Sequence, residues 1–136
     1  MGSRDLYFIS SSDQGKNFTA AQKLGVGTWQ LKGCPMDGGG ISIGQSNEIQ
    51  TAWQRENQVF YATPGKMEQS LGEGRAVGLN GKLIYWQKGA DLIIKPINGQ
   101  PTQVGQGTAL SAIELKDGSV LAVWQQDANI IYQAIK

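Results

Sequence analysis

An all-β fold is predicted by three features of this sequence: apolar runs of strand length, glycine scattered between them, and no extended helical stripe. The runs occupy residues 6–10, 49–53, 59–62, 83–86, 92–94, 120–124 and 130–132. Each is rich in β-branched and aromatic residues and stops near Gly, Asn, Asp or Pro, the pattern of a strand bounded by turns. Glycine supplies 19 of 136 residues, about twice its average usage, and is spread along the chain. Residues 67–71 alone carry a weak helical pattern, and glycines flank them.

The strands recur in a unit. The three later tryptophans each precede glutamine, at Trp53-Gln54, Trp86-Gln87 and Trp124-Gln125, with spacings of 33 and 38 residues. Eight residues after each comes a matching strand position, Tyr61, Ile94 and Tyr132. Another apolar run lies upstream of each, at 40–43, 76–79 and 110–113, and stretches ending in glycine, 67–74 and 101–107, follow the first two. A repeat of about 40 residues or somewhat less with four short strands predicts the blade of a β-propeller.

In that register residues 38–74 and 75–107 are complete four-stranded blades. Residues 108–136 supply three strands. Residues 4–27 supply what reads as a third strand (6–10) and a fourth (18–24). The whole of 1–136 is thus expected to be one propeller-like domain, cut out of phase with its repeat. A tryptophan fixed in each repeat predicts packing between blades. The glutamines after them face the other way, toward a neighbouring blade or toward water. Tyr61, Tyr85 and Tyr132 fall in strand patterns and are expected in the core.

Composition narrows the chemistry. Twelve basic and eleven acidic residues leave a net charge of +1, so no global attraction to nucleic acid or anionic membrane is expected. The absence of histidine removes the usual general base, the Ser-His and Cys-His pairs and the commonest zinc ligand. A single cysteine excludes an intrachain disulfide and leaves the compartment undetermined. No apolar run reaches the roughly 20 residues of a membrane span, and no signal-peptide pattern is visible. A soluble protein with no cofactor and no metal is expected.

The segment Ser11-Ser12-Asp13-Gln14-Gly15-Lys16-Asn17-Phe18 resembles the Asp-box of sialidases (neuraminidases) and related bacterial neuraminidase-repeat propellers, with Asn17 where threonine is usual. The physical logic of such a box is visible in its residues. A short Asp caps backbone amides, Gly takes a left-handed conformation, and the aromatic anchors the loop. The resemblance implies that Ser11, Asp13, Gly15 and Phe18 are structural and join the third and fourth strands of a blade, where the repeat register also puts them. Residues 29–40 are similar to a segment of bacterial sialidase-like propellers. A sialidase is expected to carry three arginines around its substrate's carboxylate, a Tyr-Glu nucleophile pair and an Asp acid/base. This chain has only Arg4, Arg55 and Arg75.

The expected function is therefore a non-catalytic module that binds a polar ligand, a glycan or a protein partner. The alternative is a sialidase-like glycoside hydrolase, or a fragment of one, using carboxylates such as Asp37. Blade-to-blade connections and the turns between second and third strands share one face, so that face is the candidate site. Its candidate ligand-binding residues are Lys32, Cys34, Asp37, Arg55, Glu56, Glu73, Arg75 and Asp91, with Lys88 and Asp127 beside them. Asp37 is expected near the innermost strand, as a ligand or as a cap of Gly38–Gly40. About three blades fall short of the four to eight of a closed propeller, so a homodimer making a ring of about six is expected.

Overall fold

A computed structural model describes residues 2–31, 33, 37–44 and 46–136. These form thirteen strands and, among the described residues, no helix. The strands are β1 (Tyr7–Phe8), β2 (Gln22–Lys23), β3 (Gly40–Ile43), β4 (Ile49–Arg55), β5 (Gln58–Ala62), β6 (Gln69–Glu73), β7 (Arg75–Asn80), β8 (Leu83–Lys88), β9 (Asp91–Pro96), β10 (Thr102–Gln106), β11 (Thr108–Glu114), β12 (Val120–Gln126) and β13 (Asn129–Ile135). They pair antiparallel with their chain neighbours into four separate sheets: β1-β2, β3-β4-β5-β6, β7-β8-β9-β10 and β11-β12-β13.

Turn chemistry makes each sheet a meander. The loop of Glu56 and Asn57 has positive φ at both residues (52° and 62°), as a type I′ hairpin requires. At the equivalent loops Gly89 (60°) and Asp127 (53°) open the turn with positive φ. Two of the three repeated glutamines lock these turns. Gln87 Nε2 donates to Gly89 O at 2.7 Å and Gln125 Nε2 to Asp127 O at 3.0 Å. They act within their own sheet and reach no neighbouring one. At the opposite end of the sheets, Lys95 Nζ donates to the carbonyls of Pro96, Ile97 and Gly99. Burial pushes this ammonium below its ordinary range.

Consecutive sheets stack face to face. Ala52 and Val59 of the second sheet share a cluster with Val77, Leu79, Ile84 and Trp86 of the third. Leu83, Leu92 and Ile94, on the third sheet's other face, share one with Ala112, Ala122 and Trp124 of the fourth. Trp53 points the opposite way, onto Leu24 and Phe8 of the N-terminal segment. Each repeated tryptophan thus lies buried on the face its sheet turns to the preceding sheet.

The chain crosses from sheet to sheet beside these rings. Gly74 (φ 155°) joins β6 to β7, and a Cβ there would stand 2.3 Å from Trp86 Cδ1. Gly107 (φ 147°) joins β10 to β11, and its Cβ would stand 3.0 Å from Trp124 Cδ1 and 2.1 Å from Gln125 O. Both glycines are tied back by their amides, Gly74 N to Asn57 O and Gly107 N to Ala90 O. Only a residue without a side chain gives both the backbone angle and the close approach.

Residues 69–73 form β6, paired with β5, as the four-stranded reading of 38–74 expects and against the weak helical pattern at 67–71. One expectation is corrected. Tyr132 is not a core residue. It stands 77 % exposed, since among the described residues no sheet covers that face of the fourth one, whereas Tyr61 and Tyr85 pack against the core clusters.

The crossing geometry predicts unequal costs for two glycines of positive φ. Gly81 (φ 55°) has open space around it, so Gly81→Ala should cost about 1 kcal/mol from backbone conformation alone. Gly74→Ala adds the collision with Trp86 and should cost about 3 kcal/mol. Urea unfolding midpoints check this, and equal shifts for the two variants would refute it.

Candidate functional site

In an up-and-down sheet the second strand ends, the third begins and the fourth ends at the same edge. Turns 56–57, 89–90 and 127–128 therefore share one end of the stack with the crossings at Gly74 and Gly107. Glu73, at the close of β6, and Arg75, at the start of β7, flank the first of these crossings. Lys88 and Asp91 flank the turn of the third sheet.

A groove of about 250 Å³ opens here between β6 and the third sheet. Leu71, Trp86, Ile93 and Pro101 give it apolar walls, and Glu73, Lys88 and Gln103 bring polar groups to it. Neighbouring side chains hold the polar groups in place. Asn57 Nδ2 donates to Glu73 Oε1 at 3.0 Å. Gln103 and Gln106 both donate to Asp91 Oδ1, at 2.8 and 2.9 Å. Apolar walls with convergent donors and acceptors suit a ring that has one apolar face and hydroxyls on its edge.

Beside the groove the structure joins two more candidates. Asp37 accepts from Arg75 Nε and Nη2, both at 3.1 Å. This bond raises the Arg75 guanidinium above its ordinary range. Asp37 thus binds across to the third sheet and does not cap Gly38–Gly40. Arg75 remains 60 % exposed, so its remaining N–H groups face solvent.

Arg55 is withdrawn from any ligand. Its guanidinium makes a bidentate pair with Glu68 at 2.7 and 2.9 Å, well buried, and lies 4.0 Å over the Phe60 ring. Glu68 sits below the usual carboxylate range, first because Arg55 donates to it and further because the Val26 and Gly27 amides do. A Cβ on Gly25 or Gly27 would collide with this pair, so the pair clamps the N-terminal segment onto the second sheet. Glu56 and Asp127 are exposed in their turns. Lys32 and Cys34 lie outside the described residues.

The turn at Ser11–Phe18 lies between β1 and β2, at the other end of the sheets. Ser11 Oγ donates to Asp13 Oδ1 at 2.8 Å and accepts from Gly15 N at 2.9 Å. Asn17 donates to both Asp13 oxygens, from its amide N at 2.9 Å and its side chain at 2.6 Å. The Asn17 hydrogen bonds, chiefly, pull the Asp13 carboxyl down to about 2. Phe18 departs from the expected anchor. It is 59 % exposed, and its ring lies beside Gly15.

Sequence reasoning missed Asn57, Glu68, Gln103 and Gln106, whose partners lie 12 to 16 residues away. It also took Trp86 as packing alone, whereas the ring walls the groove as well. Compared with protein-family models, curated proteins and solved structures, the chain matches none.

Two carboxylates give pH-dependent expectations. Asp13 has a folded value of about 2 against 3.8 unperturbed, so its contribution is complete above pH 3.8 and is lost as pH falls toward 2. An NMR titration of the Asp13 carboxyl should show a midpoint near 2, and a midpoint near 4 would mean the turn's hydrogen bonds do not form. Glu68 is likewise depressed from 4.5, and its contribution is lost as pH falls below that value. Glu68→Ala should cost about 3 kcal/mol at neutral pH by leaving Arg55 buried without a counter-charge. A cost under about 1 kcal/mol, the range of an exposed pair, would refute the clamp.

Proposed function

We propose that this chain is a non-catalytic module of the β-propeller type that binds a polar ligand, a glycan, at the loop end of its sheet stack and works as a homo-oligomer. The groove walled by Leu71, Ile93 and Pro101 over the buried Trp86, with Glu73, Lys88 and Gln103 around it, carries this reading. A pyranose presents an apolar face to such a wall and hydroxyls to carboxylate, ammonium and amide groups.

Three further observations support it. The sheets are consecutive antiparallel meanders, two of them four-stranded, stacked in chain order, which is how propeller blades are built. The Ser11–Phe18 turn has the internal hydrogen bonding an Asp-box needs. Four charged residues at the loop end are also committed to fixed partners: Asp37 and Arg75 to each other, Glu73 to Asn57, and Asp91 to Gln103 and Gln106. A rim held in this way presents a fixed set of donors and acceptors, which lowers the ordering cost of binding.

The test is a glycan array probed with the purified chain, followed by affinity measurements on the glycans it retains. Glu73→Ala and Lys88→Ala should each weaken binding about tenfold or more, the effect of removing a hydrogen bond to a charged group. Fluorogenic sialosides should remain intact. Turnover that Asp37→Ala abolishes would establish a glycoside hydrolase instead, and an array without retained glycans would remove the binding reading.

A further inference from the structure

The repeat assigns a partner to nearly every sheet face, and among the described residues two faces lack theirs. Directly paired residues in antiparallel strands share a face. On the face that the second sheet turns to the third, Gln54 pairs with Val59 and Ala52 with Tyr61. The corresponding pairs in the third sheet are Gln87 with Leu92 and Tyr85 with Ile94. In the fourth they are Gln125 with Ile130 and Val123 with Tyr132. Val59 and Leu92 are completely buried and Ile94 nearly so, each beneath the following sheet. Ile130 is 70 % exposed and Tyr132, as noted above, nearly naked. Side chains of core type thus line a face with nothing on it.

The opposite end of the stack is open in a complementary way. On the face turned to the preceding sheet, the residue paired with the position two before each tryptophan is Ile41, Leu79 or Ala112. Leu79 and Ala112 are buried, whereas Ile41 is 59 % exposed. The two-stranded N-terminal sheet packs on Trp53 and Ala62 but leaves β3 open. A cleft of about 230 Å³ remains, lined by Leu6, Tyr7, Phe8, Ile41 and Trp53 among others. Among the described residues, every exposed large apolar side chain except Met67 belongs to one of these two ends of the chain.

We propose that the outer face of the fourth sheet docks against the N-terminal end of a second copy of this chain, Ile130 and Tyr132 of one copy covering Tyr7 and Ile41 of the other. The proposal rests on the homo-oligomer reading above and adds the surfaces and their polarity. The contact continues a sheet-on-sheet interface that the chain already makes twice within itself. Its polarity follows from the repeat: a face built to be covered from behind meets one built to be covered from the front. Two copies related by a twofold axis satisfy both contacts at once and close the assembly, where an unclosed head-to-tail contact would run on into a filament. No charged side chain stands on the outer face, and none occurs between Asn129 and Ile135. β13 therefore lacks the lysine or proline that ordinarily protects an edge strand.

Light scattering and sedimentation of the full chain at micromolar concentration test this. Wild type should sediment at twice the 14.6 kDa chain mass. The double variant Ile130→Lys with Tyr132→Lys should be monomeric, and so should Ile41→Lys, each with unchanged circular dichroism because the replaced side chains are exposed in the single chain, while only the wild type should gain thermal stability as its concentration rises. Mixing the two variants restores one intact contact and should return a dimer. A monomeric wild type would overturn both the homo-oligomer reading and this proposal. A dimeric Ile130→Lys/Tyr132→Lys variant would overturn the proposed surface and leave the oligomer standing. A dimeric Ile41→Lys variant beside a monomeric double variant would establish a back-to-back contact and overturn the head-to-tail pairing. Because the groove at the loop end lies away from both surfaces, the array result stands or falls by itself.

Discussion

The packing of one tryptophan per sheet against the preceding sheet is the contact on which the rest of the structure depends. A four-stranded sheet has two faces and cannot bury either alone. Here each ring fills the space between sheets, and the chain passes from one sheet to the next directly over it, at Gly74 above Trp86 and at Gly107 above Trp124. The glycine and the tryptophan form one device. The ring supplies the apolar area, and the missing side chain lets the backbone cross close enough to seal it. The following residues carry the same logic onward, since Ala76 and Ala109 adopt positive φ (52° and 56°) in the bulges that open β7 and β11. A bulge sharpens the local twist and re-aims the strand as it enters its sheet.

The loop end inherits its geometry from that device. The crossing at Gly74 is held by the Asn57 carbonyl, while the Asn57 side chain holds Glu73. One turn thus positions both the backbone between two sheets and a carboxylate of the groove. Gln87 ties its own hairpin at Gly89, which fixes Lys88 on the adjoining strand end. The polar groups around the groove stand on strand ends and two-residue turns, with no long loop among them, so their positions are set by the sheets.

All-β architecture was legible in the sequence because short β-branched runs bounded by glycine leave no other choice, and the four-stranded sheets because the Trp-Gln unit recurs. The site was legible only in its composition. Asp37 and Arg75 were visible as charged residues near strand ends, but their union spans 38 residues and depends on the second and third sheets being stacked. Arg55 looked like a rim residue for the same reason. Its partner Glu68 lies on an uninformative polar stretch, and the glycines that make room for the pair, Gly25 and Gly27, lie in another sheet's connection. Tyr132 was misjudged because local pattern assigns a strand residue to a face and cannot say whether that face is covered. Phe18 was misjudged because the hydrogen bonds of Ser11, Asp13 and Asn17 hold the turn without it.

The two kinds of surface on this molecule are separated by the strand direction itself. Side chains in a strand point perpendicular to the sheet, so apolar residues gather on the faces. Turns and crossings lie at the ends, so polar residues gather there. Stacking consumes faces and leaves ends free. Adding a sheet, whether from the same chain or a second copy, therefore buries more apolar area and at the same time extends the row of turns at the loop end. The groove at Trp86 lies between the second and third sheets and exists only because those two are stacked. Each new interface of the same kind would set another groove position beside it. In such an architecture apolar burial and the row of turns grow together, although none of Ile130, Tyr132 and Ile41 lines the groove itself.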